Sequence, residues 1–164
     1  VAIHHLFFND DLLKDFNTNA KVLPPLRTEK DRQALLKGLE DGTIDMVTSD
    51  HTPIDIEHKK TEFDHALFGT IGLESAFGAL RNLTSLEVSV QRLTAGRSRF
   101  NIPEISLEEG APAELTFFDP DHEFTFDKSH ILSTSGNSIF LNQKLRGRVL
   151  GIFSKGAYNP AGEF

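Results

Sequence analysis

Cysteine is absent from the 164 residues. That excludes disulfides and thiolate metal sites, so any metal ion must be held by His, Asp or Glu. A basic excess is missing too. The formal net charge is −7, and no Lys/Arg cluster offsets it, which argues against nucleic acid as a partner. No apolar run approaches the length of a membrane span, and no signal-peptide pattern opens the chain. A reducing cytoplasm fits these absences. Low-complexity tracts and internal repeats are also lacking, so a globular chain with a sizeable core is expected. Finally, no initiator Met is present: the chain opens on the apolar run Val1-Ala2-Ile3, which reads as the middle of a strand. A processed or truncated product is expected.

What is present concentrates in Thr43 to Pro53. Ile44 to Val47 is a short apolar run, long enough for a buried strand and too short for a helix. The polar cluster Thr48-Ser49-Asp50-His51 follows, and Pro53 stops regular continuation. Parallel α/β folds place catalytic groups at the C-terminal ends of buried strands. An acid there can ligate a metal and take a proton from a metal-bound water. The other reading is that Asp50 caps the next turn and His51 is a satisfied loop histidine.

Taken in order, Val1 to Phe8 reads as a buried strand carrying His4 and His5, whose side chains would then point to opposite faces. Asp15 to Pro25 is a proline-stiffened surface loop. Thr28 predicts an N-cap with Asp31 in a capping-box arrangement, opening a helix from about Glu29 to Glu40 that Gly42 stops. The run Ile54 to Phe68 is charged and reads as a solvated loop, with His58 and His65 unaligned. Gly69 and Gly72 allow close backbone approach to a ligand or a neighbouring element. Leu73, Ala76, Phe77 and Leu80 define the buried face of a helix. Ser85 caps another, from about Leu86 to Arg97, with Val90 and Leu93 inward. After a boundary near Asn101 to Ser106, Glu114 to Phe118, Glu123 to Phe126 and Arg148 to Phe153 read as short strands. The expected division is thus an α/β part over 1–100 and a β part over 101–164.

Five stretches together resemble the dihydroorotase branch of the amidohydrolase superfamily, in its C-terminal portion. They are His4-His5-Leu6 with Asn9-Asp10-Asp11, Asn17 to Arg27, Asp41 to Pro53, Phe68 to Glu74, and Leu107 to Leu115. The resemblance implies part of a (β/α)₈ barrel followed by part of a β-sandwich. It implies zinc at the C-terminal ends of the strands and a reaction interconverting dihydroorotate and N-carbamoyl-aspartate in pyrimidine synthesis. It assigns Asp50 as zinc ligand and proton carrier, gives Phe68 and Gly69 backbone contact with substrate, and leaves His4 and His5 outside the ligand set.

Two positions depart from that family's pattern. Leu23 stands where it has a substrate-contacting Asn, and Ile54 where it has a substrate-binding His. A buried polar group that loses its partner costs about 1–3 kcal/mol, so two such losses could lower transition-state binding by about two to four orders of magnitude. Compensation by His51 or His58 is the alternative. The remaining zinc ligands are not recognisable, so the isolated chain is expected to be inactive. Three functions stay open: a zinc-dependent dihydroorotase, a non-catalytic relative partnering aspartate carbamoyltransferase, and a hydrolase of another cyclic amide. Exposed strand edges predict self-association, as a homo-oligomer or with a missing half.

Overall fold

The computed structural model describes residues 1–162. Its first half is helical: α1 (Ile3–Phe7), α2 (Glu29–Glu40), α3 (Ile56–Lys59), α4 (Leu73–Leu83), α5 (Leu86–Thr94) and α6 (Gly96–Arg99). Three strands follow, β1 (Leu115–Thr125), β2 (Lys144–Ser154) and β3 (Ala157–Pro160), forming an antiparallel sheet in the order β1-β2-β3.

The capping signals act as written. Thr28 Oγ1 accepts from the Asp31 amide while the Asp31 carboxylate accepts from the Thr28 amide, satisfying two donors at the start of α2. After α2 the chain turns through Gly42, whose φ of +86° suits a residue without a Cβ. Ser85 accepts from the Val88 amide and opens α5.

Other expectations require correction. Residues 3–7 form a helical turn rather than a strand; an apolar run this short has no periodicity that separates the two. On that turn His4 faces the core and His5 does not, so the two still diverge. Ile44 to Val47 makes no ladder; the chain contributes single parallel bridges, Ala2 to Thr48 and His51 to Thr70. These bridges nevertheless bring residues 1–3, 46–48, 51–52 and 70 side by side, with Thr48 N donating to Val1 O and Ile3 N to Thr48 O (both 2.9 Å). α5 ends at Thr94. Val90 and Leu93 are each 38% exposed, and the inward residue of α5 is Ser89. With Phe77, Leu115 and Phe118 they line an open cleft of about 770 Å³. Leu73, placed on the buried face of α4, is exposed. The two strands expected before and after Asp119 are one, β1, with irregular register on either side of Phe118–Asp119, because Pro120 and the acidic residues interrupt the ladder without ending it.

A continuous apolar core joins both halves. Ile3 and Leu6 of α1, Leu39 of α2 and Ala76, Ala79 and Leu80 of α4 pack in one cluster with Phe126, Ile139, Phe140 and Leu145. α4 lies directly on β2. A Cβ at Gly147 would sit 2.9 Å from the Phe77 ring, and one at Gly78 would sit 3.1 Å from Leu145. This seating orients the N-terminus of α4 toward the loop that carries Asp50.

Candidate active site

The Asp50 loop is built from local strain and distant hydrogen bonds. Asp50 has φ +47°, left-handed backbone that costs a non-glycine residue roughly 1–2 kcal/mol and that concentrates at functional sites. Its side chain is about half exposed, with 47% relative accessibility. Asp50 N donates to Thr48 Oγ1 (3.3 Å), and Thr52 Oγ1 donates back to Asp50 O (3.4 Å). Among the described residues the carboxylate caps no helix, and its Oδ2 lies 3.8 Å from His4 Nε2.

His51 is fully engaged. Its Nδ1 accepts from the amides of Gly72 (3.3 Å) and Leu73 (3.2 Å), so an imidazole 21 residues upstream caps a helix whose own N-cap, Gly72, has no side chain to do so. Bare Nδ1 places the proton on Nε2, which donates to Ser133 Oγ (3.2 Å). Ser133 donates in turn to Glu74 Oε1 at 2.5 Å, and its amide adds a second bond to that oxygen at 2.9 Å. Burial raises the Glu74 carboxyl, but the Ser133 hydroxyl, backbone amides and His51 outweigh it and hold it below the usual carboxylate range. His51 is therefore the satisfied loop histidine of the second sequence reading, with both ring nitrogens engaged. His58 is exposed on α3.

The Phe68–Gly69 segment is clamped from three sides. Gly69 N donates to Lys21 O (2.9 Å), and Thr52 N to Thr70 O (2.9 Å). Lys21 Nζ donates to Phe63 O and Asp64 O and lies 4.8 Å from the Phe68 ring centroid. Lys59 is buried, donating to Thr18 O and Leu67 O at 2.8 Å each. Burial, reinforced by Lys21, pushes its ammonium down to about 8. Both glycines make the close approaches expected of them. A Cβ at Gly69, where φ is +137°, would fall 2.6 Å from Thr52 Cγ2; one at Gly72 would fall 2.5 Å from the Ser49 carbonyl oxygen. Since that obstruction is backbone, Gly72→Ala is expected to destabilise the chain by about 1–3 kcal/mol. A denaturation midpoint unchanged from wild type would refute it.

Of the two substituted positions, Leu23 is 65% exposed, whereas Ile54 is buried, its amide donating to Asn137 Oδ1 (3.2 Å). His5 Nε2 donates to Pro24 O (2.9 Å), pinning the proline loop. His4 is wholly buried, both ring nitrogens lack a hydrogen-bond partner among the described residues, and its Nε2 lies 3.8 Å from Asp50 Oδ2. Burial, aided by His5, pushes the His4 imidazole down to about 3. Sequence reasoning missed Ser133, Ser135 and Asn137, which tie the Asp50 and Gly69 loops together from some 65–85 residues away. The dense run Ser133-Thr134-Ser135-Gly136-Asn137-Ser138 was the available signal.

As a zinc centre the described residues are insufficient. A structural or catalytic zinc takes about three or four protein ligands. Among the described residues no group of three His, Asp or Glu side chains is placed to hold a metal ion. Asp50 can supply one ligand.

No protein-family model matches the chain. It is 38% identical over 154 residues to a dihydroorotase from Desulforapulum autotrophicum, covering 91% of this chain and 36% of that protein. The chain thus spans little more than a third of the curated relatives it matches. Among solved structures, the L-hydantoinase (dihydropyrimidinase) of Arthrobacter aurescens superposes with a TM-score of 0.85 at 24% identity, over 99% of this chain and 39% of that one. The dihydroorotase of Saccharomyces cerevisiae gives 0.72 at 18% identity, over 98% and 43%. These likenesses identify the fold as part of an amidohydrolase α/β barrel with a small sheet attached. By its sequence the chain matches a portion of the dihydroorotases, at 38% identity over most of its own length and about a third of theirs.

Proposed function

We propose that this chain carries the proton-transferring aspartate and part of the substrate rim of a dihydroorotase-type cyclic amide hydrolase. Support comes chiefly from Asp50: an exposed carboxylate on a strained loop, secured through its neighbour His51 to the N-terminus of α4. In hydrolysis, water attacks the ring carbonyl carbon. Asp50 takes a proton from that water and returns it to the ring nitrogen as the C–N bond breaks, giving N-carbamoyl-aspartate. The return to dihydroorotate reverses both transfers. The Gly69 amide is committed to Lys21 O, so rim contact with substrate falls to Phe68, whose ring is half exposed. Zinc, which the family implies, would take Asp50 as this chain's contribution, with the rest of its ligands supplied from elsewhere.

A second reading rests on Leu23. An exposed aliphatic side chain stands where the family places a polar contact, and Ile54 is aliphatic as well, which suits a cyclic amide less polar than dihydroorotate. Both readings are tested in a chimera carrying residues 1–164 in place of the aligned segment of the Desulforapulum autotrophicum dihydroorotase. Turnover of dihydroorotate is expected, and Asp50→Ala should lower kcat by about 10²–10⁴-fold. Turnover of dihydrouracil or hydantoin alone would favour the second reading. A folded chimera active on none of them would overturn both and leave the non-catalytic role, in which binding to aspartate carbamoyltransferase becomes the property to measure.

A further inference from the structure

His4 is the one histidine near Asp50 whose nitrogens are both unaccounted for among the described residues. His5 is bonded to Pro24 O, and His51 to Gly72, Leu73 and Ser133. Leaving a polar group unsatisfied in the interior costs about 1–3 kcal/mol, so a fully buried imidazole of this kind calls for a partner. The Asp50 carboxylate lies 3.8 Å from His4 Nε2. Closing that gap by about 1 Å makes a hydrogen bond.

The two partners differ in their freedom to close it. His4 sits on α1, which is fixed by the bond from Ile3 N to Thr48 O and by Phe8 N donating to His4 O, with Ile3 and Leu6 wholly buried on either side. The Asp50 side chain is half exposed and can rotate. The imidazole is thus the fixed reference and the carboxylate the group that adjusts to it.

We infer that His4 is a positioning residue for Asp50: its Nε2–H holds one carboxylate oxygen, fixing the carboxylate plane and leaving the other oxygen toward the open side of the loop. The role rests on the reading of Asp50 as proton carrier. A carboxylate free to spin spends little time in the orientation that in-line proton transfer needs, so the contact acts on the chemical step rather than on substrate affinity.

The pairing is tested first in the 164-residue chain by ¹⁵N NMR of the histidine rings. The expected result is an Nε2-protonated His4 whose Nε2 resonance moves in Asp50→Asn; an Nδ1-protonated His4, or a resonance indifferent to Asp50→Asn, would overturn the pairing. The consequence is tested in the chimera. His4→Phe is expected to lower kcat by about 10–100-fold with KM within about threefold of the parent's. His4→Gln, which keeps an N–H near the Nε2 position, should recover most of the loss. Should both variants keep full kcat, or lose it equally with midpoints unchanged, the positioning role fails. If instead Asp50→Ala retains turnover, the proton-carrier reading fails while the NMR result stands on its own.

Discussion

Asn137→Ala is expected to lower the stability of this chain by about 3 kcal/mol. The Asn137 side chain is buried and makes four bonds: Nδ2 donates to Thr52 O (3.0 Å) and Gly69 O (3.4 Å), while Oδ1 accepts from Ile54 N (3.2 Å) and Ser135 Oγ (2.7 Å). Alanine fills none of these roles. The Ile54 amide keeps Ser135 Oγ as a fallback at 3.3 Å, but the Thr52 and Gly69 carbonyls have no second donor among the described residues, and each deserted buried group costs about 1–3 kcal/mol. Because those carbonyls belong to the loops bearing Asp50 and Phe68, amide exchange at Ile54 and Ile71 should accelerate along with the global loss. Asn137→Asp is expected to be worse than alanine near neutral pH, since it sets a carboxylate oxygen against two carbonyl oxygens. A midpoint shift equivalent to less than about 1 kcal/mol for Asn137→Ala would show that the loops hold together without it.

The second large effect is a rise in stability at alkaline pH governed by Lys59. In the folded chain its ammonium loses a proton near pH 8, mainly because burial penalises the charge and Lys21 adds to that, against an ordinary value of 10.5. Between these two values the unfolded chain holds the proton that the folded chain has released. The unfolded state binds more protons there, so stability rises with pH. The penalty is fully present below pH 8 and fully relieved above 10.5. At about 1.4 kcal/mol per pKa unit the whole window is worth at most about 3.5 kcal/mol. Other lysines titrate in the same range, so the quantity to follow is the difference between wild type and Lys59→Met, which keeps the apolar stem and removes the charge. That difference should move in favour of wild type as pH climbs from 8 to 10.5. A flat difference would mean that the carbonyls of Thr18 and Leu67 compensate the charge.

The comparison of sequence with structure turns on the range of the interactions involved. Helix α2 was legible to the residue because Thr28, Asp31 and Gly42 act within one turn of themselves. The close approaches at Gly69 and Gly72 were legible as a need for small residues, though not as contacts with Thr52 and Ser49. α1 was misread as a strand because five residues are too few for a 3.6-residue period to show. Val90 and Leu93 were misplaced because an apolar stripe says which side of a helix is apolar and not whether anything covers it.

By itself the sequence determined helices α2 and α4, the caps of α2 and α5, the exclusion of thiolate chemistry and, through blocks whose order and spacing are specific, the likeness to dihydroorotases. It also singled out Asp50, because a carboxylate after a short apolar run and before a proline is a local pattern. Tertiary structure alone decided how that carboxylate is surrounded. His51 became the cap of α4, Ser133 and Asn137 arrived from more than 65 residues away, and His4 came to lie with its Nε2 3.8 Å from Asp50 Oδ2. The reason is physical: a hydrogen bond acts over about 3 Å whatever the chain separation. Residues far apart in sequence carry no mutual signal until packing of the core brings their backbones together.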